Sequence, residues 1–167
     1  QIPHLLAVLL AQRQITDSEA AGRFLKPEFS QFHDPYQMLG MRAAVERLHR
    51  AIANQEHILI YGDYDVDGTT SVVVLRTAIE LAGGQVSFHV PHRVQEGYGM
   101  REYVIEQAAR DRVNLIISVD NGIRESAVVE RATQLGIETI ITDHHLPETT
   151  VPRAFAVLNP NQPGCDY

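Results

Sequence analysis

His57-Ile58-Leu59-Ile60-Tyr61-Gly62-Asp63-Tyr64-Asp65-Val66-Asp67-Gly68 is the stretch that decides the fold of this chain. A short apolar run bounded by glycine reads as a buried strand, and here it breaks into three alternating carboxylates. The same pattern returns twice: residues 115–119 run into Asp120-Asn121-Gly122, and residues 139–142 into Asp143-His144-His145. Helical stretches separate these runs, and strand, helix, strand at this interval predicts right-handed crossovers and a parallel sheet. Ligands of such sheets bind beyond the carboxyl ends of the strands, where all three polar segments fall. So much oxygen and imidazole at one edge calls for divalent metal.

Working outward, strands are expected over 57–61, 85–90, 114–119, 137–142 and 154–158, and helices over 69–82, 100–111 and 124–135. Gly83-Gly84 and Gly136 stop helices where a left-handed residue is wanted. The first 55 residues contain no strand-like run; Leu5-Leu6, Leu9-Leu10 and then Val45, Leu48 and Ile52 recur at helical spacing. Either Thr16 or Asp17 caps a short helix that Lys26-Pro27 ends. Residues 28–36 read as loop, with His33 at the surface. The expected architecture is three-layer α/β with a parallel sheet, divided into a helical lead-in (1–55) and the sheet domain (56–167).

At 167 residues, 44% of them hydrophobic, the chain can fill one core without disulfides. No apolar run approaches the roughly 20 residues that span a bilayer, and no secretory pattern opens the chain, so a cytoplasmic protein without membrane association is expected. The lone Cys165 suits a reducing compartment and carries no nucleophile argument. With 14 basic and 21 acidic residues the net charge is −7, which at first argues against nucleic acid. Five of the acids lie in the polar segments, however, and two bound divalent ions would add about +4 where a phosphate approaches.

Asp63, Asp65 and Asp67 would share one face if the strand persisted that far. Neighbouring carboxylates raise one another's pKa unless cations or hydrogen bonds compensate; a solvated Asp- and Gly-rich turn is the alternative. The string also resembles the start of an EF-hand calcium loop, but the chain continues into the apolar Thr69-Thr70-Ser71-Val72-Val73-Val74-Leu75 where that loop needs its glutamate. Asp120 is either a ligand or a cap of helix 124–135. In Asp143-His144-His145 one imidazole can ligate while the other meets phosphate or donates a proton, with Asp143 fixing a tautomer. Mixed Asp and His ligands favour manganese, with magnesium also compatible, over structural zinc. In Pro91-His92-Arg93-Val94-Gln95-Glu96-Gly97-Tyr98-Gly99, Arg93 could clamp a phosphate and Gly97-Tyr98-Gly99 could let backbone approach a ligand; a solvated loop is the alternative.

These residues resemble those of the DHH phosphoesterases, and within them the RecJ-like single-strand-specific exonucleases. The likeness rests on residues 62–71, on Pro91-His92-Arg93 with Glu96-Gly97-Tyr98-Gly99, on Ser118-Val119-Asp120-Asn121-Gly122-Ile123, on Ile141-Thr142-Asp143-His144-His145-Leu146-Pro147 and on Leu158-Asn159-Pro160-Asn161. It implies two Mn2+ or Mg2+ ions, with Asp65, Asp67, Asp120 and His144 as ligands, Asp120 bridging and Asp63 an additional acid. His145 would contact or protonate the scissile phosphate, with Asp143 in support. The activity implied is hydrolysis of single-stranded DNA from its 5′ end in recombination and repair, in company with helicase and single-strand-binding protein. Some phosphatase branches carry histidine where this chain has Tyr61, which favours the nuclease branch. RecJ-like proteins also carry a later aspartate ligand and a second domain, absent before Tyr167, so the chain is expected to be truncated within the catalytic core.

Two other classes compete. One is a phosphatase or oligonucleotide phosphodiesterase acting on short substrates; the other is a catalytically silent scaffold that binds nucleic acid or protein. A receiver domain would want a lysine at a later strand end, and the chain's only lysine is Lys26. No Gly-x-Gly-x-x-Gly follows the first strand, which removes the dinucleotide reading.

Overall fold

The computed structural model describes residues 2–167. The chain divides into two compact units, the second spanning Pro35–Tyr167. In the first unit α1 (His4–Ala11) and α2 (Ser18–Leu25) are followed by a 3-10 turn at Phe29–Gln31. Asp17 is the cap of α2: its carboxylate accepts the Ala20 N–H at 2.7 Å.

The second unit carries the sheet. It comprises α3 (Met41–Ala53), β1 (His57–Tyr61), α4 (Val66–Leu81), β2 (Gln85–His89) and α5 (Glu102–Arg110). There follow β3 (Leu115–Val119), α6 (Ser126–Gln134), β4 (Glu138–Thr142) and β5 (Ala156–Leu158). All five strands are parallel, in the order β2-β1-β3-β4-β5. Side chains alternate across each strand, so β1 sends Ile58 and Ile60 to one face and Leu59 and Tyr61 to the other. The first pair packs with Ala44 and Ala51 of α3 and Val72 and Ile79 of α4. The second packs with Val104, Ile105 and Ala108 of α5 and Ala132 of α6. The result is the expected three-layer α/β arrangement.

The expected strands and helices lie within a few residues of those found. The compact unit that carries the sheet begins at Pro35 and so takes in α3, which the sequence reading groups with the helical lead-in. The reason is that the buried Ala44, Arg47 and Ala51 of α3 face the sheet. Arg47 is 4% exposed and reaches Glu56 before β1 and Glu138 at the start of β4, tying α3 to two strands.

Topology places the site. From β1 the chain moves through α4 to β2 on one side, then returns through α5 to β3 on the other side of β1. The direction of winding therefore reverses between β1 and β3, which opens a crevice beyond their carboxyl ends. Asp63 and Asp65 follow β1 into that crevice, and Asp120 follows β3.

Candidate metal centre

The residues after β1 do not continue as a strand. Gly62 ends it, and Asp65 turns the chain into α4 by accepting the Gly68 N–H at 3.0 Å. That hydrogen bond, ahead of the cost of burial, holds the Asp65 carboxyl below its usual range. The three alternating acids thus separate. Asp63 is 3% exposed, Asp65 is the helix cap and Asp67 is exposed in the first turn of α4. The one-face arrangement expected for a persisting strand is not found, because local capping is stronger than continued extension.

Asp120 follows β3 in a left-handed conformation, with φ of 62°, and is 9% exposed. Gly122 completes the turn at φ 105°, where a Cβ would come within 2.6 Å of Ser118 Oγ. Asn121 braces the turn from inside, donating to the Tyr61 carbonyl at 3.3 Å and the Val119 carbonyl at 3.0 Å. Asp120 does not cap α6, whose cap position is Glu125. Its carboxylate instead meets Asp65 and His144. Burial first, and then the charge of Asp65, pushes the Asp120 carboxyl above its usual range.

After β4, Asp143 acts as the hub of the histidine pair. Its side chain is fully buried; Oδ1 accepts the His144 N–H at 2.8 Å and the His145 N–H at 3.1 Å and lies 2.7 Å from His145 Nδ1. Oδ2 accepts the Ile123 N–H at 3.0 Å. His145 Nδ1 is thus engaged by Asp143, and Nε2 is the ring nitrogen left for another partner. His144 turns the other way, its Nε2 3.0 Å from Asp120 Oδ1.

Two sets of ligand atoms result, each gathered within 4.8 Å: Asp63, Asp65 and Asp120, and Asp120, His144 and His145. Asp120 belongs to both. Asp63 Oδ1 is buried and has no hydrogen-bond partner. A buried carboxylate oxygen without a donor is costly, and beside two further acids a cation resolves that cost. The residues therefore fit divalent ions with oxygen and imidazole ligands. Asp67 is not in either set, but it lines a cavity of about 340 Å3 with Ser71, Asp120 and His144.

The loop expected to meet substrate stands beside this centre. The Tyr98 hydroxyl lies 3.2 Å from His145 Nδ1 and 3.4 Å from the Asp120 carbonyl. Burial, then the charges of Asp143, Asp63 and Asp120, raises its pKa, so the phenol stays a neutral donor. Gly97 and Gly99 flank it with φ of 72° and 92°. Arg93 is exposed, with its guanidinium 5.2 Å above the Tyr64 ring in the acidic loop. Tyr61 is fully buried; its hydroxyl accepts the Arg101 N–H at 3.1 Å and is not a ligand.

Glu96 was not legible as a working residue from the sequence. One carboxylate oxygen accepts the His92 N–H at 2.7 Å, and the other meets the Tyr103 hydroxyl at 2.5 Å and His89 Nε2 at 3.0 Å. It shapes the loop that carries Arg93 and Tyr98. Its place at the head of the second motif piece, Glu96-Gly97-Tyr98-Gly99, was the available signal. Asn121 likewise stood within a motif with no role of its own.

Comparison with known proteins bears on this geometry. The model of the DHH family, N-terminal domain, matches residues 57–166. The chain is 42% identical over 166 residues to the single-stranded-DNA-specific exonuclease RecJ of Bacillus subtilis, covering 99% of this chain and 21% of that protein. It is 38% identical over 169 residues to the Escherichia coli protein of the same name, covering 28% of it. A crystal structure of exonuclease RecJ bound to manganese matches with a TM-score of 0.71 at 32% identity, over 76% of this chain and 32% of that one. The structure of RecJ in complex with Mn2+ from Thermus thermophilus matches in fold with a TM-score of 0.73 at 24% identity, over 95% of this chain and 22% of that one. The chain thus spans well under half the length of each of these relatives.

Proposed function

The chain belongs to the DHH family, and from that premise we propose that it supplies the metal-binding half of a single-stranded-DNA exonuclease that hydrolyses phosphodiesters from the 5′ end. The observation that carries this reading is Asp120, shared by two ligand sets beside the unpartnered Asp63 Oδ1. RecJ relatives at 42% and 38% identity are named for single-stranded DNA, which supports the substrate class.

Asp63, Asp65 and Asp120 would hold one Mn2+ or Mg2+ ion, and Asp120 with His144 a second, with Asp67 reaching in from the cavity side. When bound, such a pair supplies activation of water and neutralisation of charge on the leaving oxygen. The protein's own residues do the rest. Asp143 holds His145 through Nδ1, so that Nε2 is the nitrogen turned to the substrate side and, when it carries a proton, can contact or protonate a phosphate. Tyr98, as a neutral donor between Gly97 and Gly99, approaches the same group, and Arg93 offers a second charge for the backbone of the strand. Single-stranded substrate arises by unwinding, which in this reading makes a helicase and a single-strand-binding protein the partners, recombination and repair the setting and the cytoplasm the location. Among the described residues no helix is long and apolar enough to cross a membrane.

The test is exchange of this chain for the matching segment of the Bacillus subtilis relative. A folded chimaera is expected to degrade 5′-labelled single-stranded DNA with Mn2+, to spare duplex DNA and to lose activity on Asp120→Ala. A folded chimaera that trims only dinucleotides, or ignores Asp120→Ala, overturns the reading.

A further inference from the structure

One sequence motif has no role in the chemistry above: Leu158-Asn159-Pro160-Asn161, after the last strand. Asn159 is completely buried, and its Nδ2 donates to the His145 carbonyl at 2.9 Å. Its Oδ1 accepts the Asn161 N–H at 2.7 Å. Asn161 Nδ2 in turn donates to the His144 carbonyl at 2.6 Å. Each amide therefore grips a different one of the two histidine carbonyls.

The grip matters because residues 143–147 have no regular secondary structure. Asp143 secures the two backbone N–H groups. The two carbonyls would otherwise need solvent, and the peptides could rotate and carry the imidazoles away from Asp120. An asparagine turn that merely satisfies itself explains only the bond from the Asn161 N–H to Asn159 Oδ1. It does not explain two donors reaching back 14 and 17 residues to adjacent carbonyls.

We propose that Asn159 and Asn161 are positioning residues that set the orientation of His145 and His144, respectively, from behind the metal centre. The proposal rests on the metal reading for its consequence but not for its geometry. Partners of this kind commonly change metal affinity by about 10–100-fold without touching the ion.

Asn161 is exposed, so its replacement leaves the core intact. Asn161→Ala removes the side chain, and Asn161→Asp keeps its shape while removing the donor. Both are expected to shift and broaden the ring 1H–13C signals of His144 in the metal-free chain, with a smaller effect on His145. Both are expected to weaken Mn2+ binding, measured by calorimetry, about tenfold. Gln162→Ala is the control for loosening the same loop. It cuts the bonds to the Val157 carbonyl at 2.8 Å and the Leu39 carbonyl at 3.4 Å and touches neither histidine. It is expected to lower Tm and leave the His144 signals in place.

Unchanged His144 signals in both Asn161 variants would overturn the proposal, as would equal disturbance by Gln162→Ala. If the wild-type chain took up no Mn2+ at all, the metal reading would fail, and the ring spectra alone would still decide the positioning role.

Discussion

Gly68→Ala probes whether the metal loop depends on close approach of helix α4. A Cβ at this position would stand 2.6 Å from the Asp63 nitrogen, 2.6 Å from its carbonyl oxygen and 2.7 Å from its carbonyl carbon. Ordinary contact begins near about 3.5 Å, so either the Asp63 backbone or the first turn of α4 must move by about 0.9 Å. All three atoms are backbone, and no rotamer change relieves them. Overpacking of this kind costs about 1–3 kcal/mol, and alanine's better helix propensity returns at most about 1 kcal/mol. The net loss is then at most about 3 kcal/mol, which lowers Tm by up to roughly 12 °C for a chain of this size. The larger effect falls on the site, because Asp63 and Asp65 flank the displaced turn and ligands tolerate only about 0.5 Å of misplacement. Scanning calorimetry and Mn2+ titration of the same sample measure both. A Gly68→Ala chain with raised Tm and wild-type Mn2+ affinity refutes the reasoning.

Three further outcomes are expected. Asp120→Asn should raise Tm in EDTA at neutral pH by a few degrees, on the order of 1 kcal/mol. The folded state holds the Asp120 proton more tightly than the unfolded chain because of burial and the Asp65 charge, so its stabilisation is full below the ordinary carboxylate range and is lost as pH rises through the raised value. The advantage of the variant should therefore vanish on acidification, and a variant less stable than wild type at neutral pH contradicts this. Glu96→Gln should cost about 1–2 kcal/mol in urea unfolding by loosening the 91–101 loop, while Mn2+ affinity stays unchanged; a fall in Mn2+ affinity would put Glu96 in the wrong role. Arg47→Met leaves Glu56 with Asn54 at 3.3 Å and Glu138 with Arg50 at 3.9 Å as remaining partners; because both glutamates are also partly exposed, the loss should be about 2 kcal/mol, below that of a fully buried pair, and wild-type Tm would show the Arg47 ion pairs to be idle.

The centre of the sheet was legible because β1 and β3 are dominated by Ile, Leu and Val, the pattern of strands covered on both faces. The site was legible because β1, β3 and β4 each run into aspartates at or just past the strand end, and topology brings those three ends together. Asp67 was less so: periodicity places it on the face of Asp63 and Asp65, whereas the Asp65 cap begins α4 at Val66, three residues before the expected start. Capping is a contest between local hydrogen bonds that apolar spacing does not record. The packing of α3 on the sheet was not legible for a related reason. Its apolar stripe announces a helix but not which unit covers it, and Arg47, buried against two glutamates, looks like a surface residue in sequence. Asn159 and Asn161 were visible as a motif, yet their bonds span the interval back to the histidines and have no local signature.

The most direct measurement of the central claim is calorimetric titration of the chain with Mn2+, alongside Asp120→Ala and His144→Ala. Saturable binding is expected in the wild type, with Asp120→Ala eliminating it because that carboxylate serves both ligand sets, and His144→Ala weakening one set alone. Mn2+ binding that survives Asp120→Ala unchanged would contradict the account.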